Sequence, residues 1–455
     1  MIKSLKQLSE KSGFEYVGGD VTIENISINS GDIKNNTLFV AIVANRDGHD
    51  FIADAIANGA VAVLVSKKQE NINVPQIVCE NTVKALRKLA ETKRQELKMP
   101  IISLTGSCGK TSVKEMIVAL LADYNVHFTK GNLNNYLGVP MTILEIPEEA
   151  NFAVIEAGTS VLGEIKAAAE IIRPDVALIT NIGASHLENL KSLDGVMQEK
   201  GELLKAVNKN NFCVINIDDE RLAKFSESLL SNKVTCSMFS KDADIYIDDY
   251  RVLDQGYDVK ISIYNKIYEY YLPTVGIHNI KNSLLAISCL VALGLKEEDF
   301  LENTKKISNY KGRFFSHKFT ENLIVVDDTY NASAPSVNAA IDDLASFLGK
   351  KVLVISSMRE LGDLAKEYHQ QMGHWINSAH IDRVFLFGDE ENLKHTLSEI
   401  TGGNTHFYKD KKELEKDLLE ELSKYKDEKT KLIVKGARSY KMEEILDNIK
   451  GKLIS

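Results

Sequence analysis

The sequence predicts an α/β protein of three domains, and three observations carry that reading. The chain has 455 residues, more than one hydrophobic core usually serves. From Pro100 onward, near-continuous apolar runs at 101–105, 152–156, 176–181 and 213–217 alternate with helical stretches, as strands buried on both faces of a parallel sheet do. After Gly312-Arg313, runs at 323–327, 352–356, 384–388 and 432–434 repeat the rhythm of a doubly wound domain. The expected domains are therefore 1–98, 99–312 and 313–455.

The first domain alternates short β-type runs at 21–28, 37–42 and 60–66 with helical stretches at 51–58 and 81–97, which makes a small α/β unit. Residues 1–8 read as an amphipathic helix without the long apolar stretch of a secretory signal. No apolar run reaches the roughly 18–20 residues of a membrane span, so a cytoplasmic protein is expected. In the second domain, runs at 234–239, 245–250, 257–264 and 267–272 alternate like antiparallel strands, a side sheet or edge extension, before a helix at 279–293. No repeat of 20–50 residues is present.

Hydrophobic residues at 44% and charged residues at 26% fit an ordinary globular chain. Cys79, Cys108, Cys213, Cys236 and Cys289 form no CxxC pair, which argues against a zinc site or disulfide framework and for reduced thiols. The net charge of −9 and the absence of a basic stripe interleaved with aromatics make nucleic acid an unexpected partner. A small anionic ligand at a local site remains compatible with this balance.

Such a site is legible at Gly106-Ser107-Cys108-Gly109-Lys110-Thr111-Ser112, which follows the strand at 101–105 and opens a helix. Backbone N–H groups of this turn can cradle phosphates, Lys110 can neutralise them and Thr111 can ligate Mg²⁺. Leu104 stands where the commonest form of such loops has its first glycine. A chance Gly-Lys-Thr turn is the plain alternative, and the strand before and helix after weigh against it.

The loop T-G-x-x-G-K-T resembles that of the Mur ligases, and ordered matches extend over nearly the whole chain. They are Asp47-Gly48-His49, Gly131-Asn132-Leu133-Asn134-Asn135, Glu156-Ala157-Gly158, Thr180-Asn181-Ile182-Gly183, His186-Leu187-Glu188, Lys200-Gly201-Glu202, Gly276-Ile277-His278-Asn279 with Asn282, Gly312-Arg313, Asp327-Asp328-Thr329-Tyr330-Asn331, Arg359-Glu360-Leu361-Gly362 and Lys435-Gly436-Ala437-Arg438. Within the family, the chain is most similar to the ligases that join D-alanyl-D-alanine to UDP-N-acetylmuramoyl-tripeptide. The resemblance implies a central P-loop ATPase domain between an N-terminal domain for a UDP-type acyl substrate and a C-terminal Rossmann-like domain for the amine. It implies that ATP and two Mg²⁺ ions serve to make an amide through an acyl phosphate; a monomer is expected.

The resemblance also assigns roles. Thr111, Glu156 and His186 would hold Mg²⁺, joined by Lys200 if its amine is carbamylated. Lys110, Glu156, His186, Lys200 and Asn134 would serve catalysis. His278, Asn279, Asn282, Arg313 and Asp328 would complete the ATP site. Ser30, Asp47, His49, Asn135, Tyr330, Asn331, Arg359 and Arg438 would meet the two other substrates.

Each residue also has a plainer reading. Glu156 is a solvated strand end, His186 a structural histidine, Lys200 a surface lysine, Asn279 a helix N-cap, Asn134 and Asn135 turn residues, and Arg359 a surface ion pair. Departures fall at both substrate ends. Asn29-Ser30-Gly31 and Ala41-Ile42-Val43-Ala44-Asn45-Arg46 replace an Asp-Ser-Arg run and a glycine loop of the wall ligases, and Ser333-Ala334-Pro335 and Ser356-Ser357-Met358 alter the amine side. A second reading is therefore a Mur-like ligase for a non-UDP carboxylate and another amine in cofactor or natural-product synthesis. A third is an ATP-binding assembly module without chemistry, against which the retained Glu156, His186 and Lys200 stand.

Overall fold

The computed structural model describes residues 2–43 and 46–453, so Ala44 and Asn45 of the altered loop, and Met1, lie outside the described residues. Three sheets follow one another along the chain. The first contains β1 (Glu15–Val17), β2 (Asn25–Ser27), β3 (Thr37–Val40), β4 (Ala60–Val65) and β5 (Gln76–Val78) in the order β1-β5-β4-β3-β2. Only β1 runs antiparallel. The expected helix at 1–8 is corrected: Ile2 pairs with Ile23, and the helix Leu5–Lys11 starts where Ser4 Oγ accepts the Gln7 N–H. Serine caps because its short hydroxyl reaches a free amide of the first turn.

The helix Thr82–Glu96, capped by Asn81, buries Ala85, Leu86, Leu89 and Ala90. It also ties the first sheet to the second, since Arg94 Nε donates to Ile172 O at 2.7 Å and Nη2 to Arg173 O at 2.8 Å. Leu38, Leu64 and Leu89 share one continuous core with Ile143, Ile155 and Ile171.

The second sheet has nine strands: β6 (Ile101–Thr105), β7 (Val126–Phe128), β8 (Phe152–Glu156), β9 (Val176–Ile179), β10 (Phe212–Asn216), β11 (Asn232–Ser237), β12 (Ile245–Leu253), β13 (Gly256–Ile263) and β14 (Lys266–Leu272). Their order is β14-β13-β12-β11-β10-β9-β6-β8-β7. The run at 234–239, expected to be antiparallel, pairs in parallel with both β10 and β12. A helix, Glu220–Ser226, makes the crossover into it, as a parallel connection requires. Only β12, β13 and β14 are antiparallel, the last two joined by Tyr264 and Asn265, both at positive φ as a type I′ hairpin needs. Chain order reverses at β6, which lies between β9 and β8, so the loops after these three strands open into one crevice.

The third sheet holds β15 (Phe315–Lys318), β16 (Leu323–Asp328), β17 (Lys350–Ser356), β18 (Arg383–Phe387), β19 (Thr405–Tyr408) and β20 (Thr430–Lys435), ordered β15-β16-β20-β17-β18-β19. All pairs but β15–β16 are parallel. Ala184, Leu187, Leu190 and Val196 of the second domain pack into the core of the third, beside Val326, Ala334 and Leu361.

On β7, His127 packs with Nε2 2.9 Å from Thr142 O, and burial pushes its pKa from 6.5 down to about 4. The unfolded chain therefore binds a proton that the folded chain refuses between those values, and stability falls as pH drops through that window. The full effect is about 3 kcal/mol. Urea midpoints of His127→Asn between pH 7 and 4 should fall less steeply than those of the parent.

Candidate functional site

The crevice is built around the turn that follows β6. Gly106 is at φ +151° and a Cβ there would stand 1.9 Å from Thr180 Oγ1, so only glycine allows the loops after β6 and β9 to meet. Gly109, at φ +79°, starts the helix Lys110–Leu120, whose N-terminal amides and dipole face the crevice. The two loops are sutured by hydrogen bonds. Cys108 N–H donates to Asn181 Oδ1 at 3.1 Å, Ser107 N–H to Asn181 O at 3.1 Å, and Ser107 Oγ to Gly183 O at 2.8 Å.

Lys110 Nζ donates to Gly106 O at 2.7 Å. Burial lowers its pKa, and the charge of Glu156 works in the opposite sense. Glu156 ends β8 at 1% exposure, so the solvated strand end is ruled out. Its Oε2 accepts from Thr111 Oγ1 at 3.0 Å, its Oε1 from Asn134 Nδ2 at 2.7 Å, and its N–H donates to Thr129 Oγ1. A hydroxyl and a carboxylate oxygen thus converge beside a phosphate loop, the hard-oxygen pair that suits Mg²⁺. Among the described residues no three His, Cys, Asp or Glu side chains gather into a metal cage.

The third domain closes the crevice from the other side. Arg313 Nη2 donates to Thr111 Oγ1 at 3.1 Å, and its guanidinium stacks over Tyr330 with Cζ 3.8 Å from the ring centre. Arg313 Nε is buried without a protein partner. Asp328 is held by Lys435, whose Nζ lies 2.5 Å from Oδ2, and by the Phe314 N–H on Oδ1. His278 packs edge-on against Phe314, its Nδ1 is buried without a partner, and burial lowers its pKa.

Two adjoining cavities result. The first, about 570 Å³, runs from the phosphate loop past Asn134, Asn135, His278 and Asn282 to Arg313 and Asp328. The second, about 640 Å³, is lined on the third-domain side by Arg359, Glu360 and Arg438. Ser107, Lys110, His186, Asn331 and Ser333 line both, so the cavities join at the phosphate loop.

Other expected residues are placed less simply. Asn279 does not line either cavity; it donates to Val275 O and accepts from Asn282 Nδ2. Nor does it cap the helix His278–Ala292, whose N-cap is Ile277. Asn135 Oδ1 accepts the Gly138 N–H, a turn role, while also facing the first cavity. His186 sits at φ +53° with Nδ1 2.5 Å from Glu360 Oε2, a contact without hydrogen-bond alignment. Lys200 is 1% exposed, which excludes a surface lysine, and its pKa lies well below normal because of burial and then Lys110. Arg359 Nη1 is 3.4 Å from Tyr440 Oη rather than in an ion pair, whereas Arg438 pairs with Glu443.

Ser30, Asp47 and His49 line neither cavity. Asp47 Oδ1 lies 2.6 Å from His49 Nδ1, and His49 Nε2 accepts the Ser66 N–H, so the ring is the Nδ1–H tautomer when neutral and anchors its loop to the end of β4. The Ser30 carbonyl accepts from Asn58 Nδ2.

The individual site assignments missed Asn181, Lys281, Glu360 and Lys435 as crevice residues. Three of these lay within matched motifs. The matched run marks Lys435 but not its partner, which comes from strand register, because β16 and β20 pair Asp328 with Lys435.

This geometry has close counterparts. Residues 22–110 match the family description "Mur ligase family, catalytic domain", 104–290 "Mur ligase middle domain" and 312–449 "Mur ligase, glutamate ligase domain". The UDP-N-acetylmuramoyl-tripeptide--D-alanyl-D-alanine ligase of Haemophilus influenzae is 34% identical over 463 residues, with 100% of both chains covered. The chain belongs to the Mur ligase family. The Escherichia coli protein of the same name is 35% identical, with 97% of each chain covered. Among solved structures, "Crystal structure I of MurF from Acinetobacter baumannii" has a TM-score of 0.90 at 27% identity, covering 98% of both chains. The MurF ligase of Thermotoga maritima in complex with ADP has a TM-score of 0.83 at 27% identity, covering 94% of this chain and 98% of that one. As a Mur ligase, the chain is an ATP-dependent, ADP-forming amide ligase.

Proposed function

We propose that this Mur ligase joins D-alanyl-D-alanine to UDP-N-acetylmuramoyl-tripeptide in cytoplasmic synthesis of a peptidoglycan precursor. The observation that carries this reading is the junction of two cavities at Lys110 and His186, supported by full-length similarity to wall ligases. An oxygen of the acyl substrate's carboxylate takes the γ-phosphoryl group and ADP departs. The amine nitrogen then attacks the carbonyl carbon, the C–O bond to phosphate breaks, and inorganic phosphate leaves while the ammonium nitrogen gives up two protons.

Chain residues divide this work. The phosphate-loop amides and Lys110 hold the nucleotide phosphates and offset the repulsion between phosphate and carboxylate. Asn134 fixes Glu156, and Arg313 brings a second cation across from the third domain. Asp328, held by Lys435, is oriented for a ribose hydroxyl, and His278 with Asn282 for the base. Thr111, Glu156 and His186 would hold Mg²⁺, which supplies charge neutralisation on the transferring phosphoryl group. Domains 1–98, 99–312 and 313–455 would take the UDP end, ATP and amine respectively. Ser30, Asp47 and His49 lie on the first of these, and Tyr330, Asn331, Arg359 and Arg438 on the last.

Lys200 is proposed to be carbamylated. Burial holds its amine well below the usual lysine pKa, which favours the neutral nucleophile that reacts with CO₂. Lys200→Ala should lose about 10²-fold in turnover and regain part of it with added formate, measured by phosphate release. No loss would remove Lys200 from the site.

The proposed function is tested by phosphate release from Mg-ATP with UDP-N-acetylmuramoyl-tripeptide and D-alanyl-D-alanine, each alone and together. Release only with both, with a product heavier by the dipeptide less water, is the expected result. ATP binding without turnover would instead support an acid chosen by the altered Asn29-Ser30-Gly31 run.

A further inference from the structure

We propose that Glu360 binds the ammonium group of the incoming amine and sets it against the activated carboxyl. The inference rests on the ligase reading above and adds a substrate-contacting residue to it. An amino acid or dipeptide amine arrives as a zwitterion, so its pocket needs a cation for the carboxylate and an anion for the ammonium. The second cavity offers Arg359 and Arg438 for the first. Among the described residues, the acids lining that cavity are Glu188 and Glu360. Glu360 alone of these is seen against His186, at the junction with the ATP side, with Oε2 2.5 Å from Nδ1.

The loop is built to hold the carboxylate there. Glu360 is a non-glycine residue at φ +62°, a conformation that costs energy unless its surroundings enforce it. Here they do: its carbonyl accepts the Glu188 N–H at 3.1 Å, and Gly362 passes so close that a Cβ would stand 2.9 Å from Glu188 Cα. The third-domain loop is thereby clamped to the second domain two residues from His186. The Glu360 side chain nevertheless remains 56% exposed, so one face of the carboxylate is open to a ligand. Neighbouring Arg359 and Glu360 together present the charge pair that a zwitterion of opposite sense requires.

The competing role is positioning of His186, since a carboxylate on a metal-bound histidine orients its ring. Steady-state kinetics separate the two. Wild-type turnover with D-alanyl-D-alanine is established first, and its absence would count against the ligase reading rather than against Glu360. In Glu360→Gln the KM for the dipeptide should rise about 10- to 100-fold, with the KM for ATP and the Mg²⁺ dependence unchanged and partial recovery in Glu360→Asp. Trapping of the acyl phosphate by hydroxylamine, a neutral nucleophile at pH 7.5, should proceed as in wild type. An unchanged dipeptide KM, or a shift in Mg²⁺ dependence together with loss of trapping, would overturn the proposal. Should Glu360→Gln fail to fold, the same comparison is made with Glu360→Asp, where a dipeptide KM equal to wild type overturns it.

Discussion

Lys110→Met should lower kcat/KM for ATP by at least about 10³-fold while the protein keeps its fold. The side chain donates to the Gly106 carbonyl, only four residues before it, and anchors no distant element. Losing that one bond disturbs the loop locally, whereas losing the cation leaves the transferring phosphoryl group facing a carboxylate without its nearest compensation. Methionine fills the same volume without charge, and its removal of a buried cation relieves desolvation. Circular dichroism and melting temperature should therefore match or exceed those of the parent. A variant that retained more than a tenth of the activity would place the phosphates elsewhere.

Glu156→Gln should cost about 10²- to 10³-fold in kcat at saturating ATP and weaken the response to Mg²⁺. The substitution is nearly isosteric. The amide oxygen can still accept from Asn134 Nδ2, and the amide nitrogen can donate to Thr111 Oγ1, so both neighbours keep partners. What is lost is one negative charge beside the phosphate loop. Mg²⁺ titrations of phosphate release should give a half-saturation shifted to higher concentration. A loss of turnover with an unchanged Mg²⁺ response would assign Glu156 to positioning Thr111 and Asn134 instead.

Much of this crevice is legible in the sequence. The parallel strands announced themselves as continuous apolar runs because both of their faces are buried, and the runs of β6, β8 and β9 each end at a crevice residue or loop. The phosphate loop was legible because glycine is required at positive φ and at close approach, leaving a fixed spacing in the chain. Short strands such as β1, β5, β7 and β19 were not legible, since three or four residues carry too little periodicity. The direction of β11 was equally hidden, because alternation reports burial on a face and not the sense of pairing.

The same distinction applies to side chains. Lys110 and Thr111 were found from local sequence and Arg313 from the family resemblance, and the structure brings them together with Glu156. Asn279 was assigned to the crevice by its place in a motif, yet its amide is spent on Val275 and Asn282, a partnership that depends on how the chain enters the helix. Glu360 and Lys435 escaped because their importance arises from contacts between distant segments, 174 residues apart for Glu360 and His186 and 107 for Lys435 and Asp328.

In this mechanism ATP activates the carboxylate before the amine attacks. That step is tested by turnover of an acyl substrate carrying ¹⁸O in both carboxyl oxygens, with mass analysis of the phosphate released. One ¹⁸O is expected in each phosphate, because the carboxylate oxygen that accepts the phosphoryl group departs with it. Unlabelled phosphate accompanied by amide product would contradict transfer to the carboxylate and with it the role given to the Lys110 crevice.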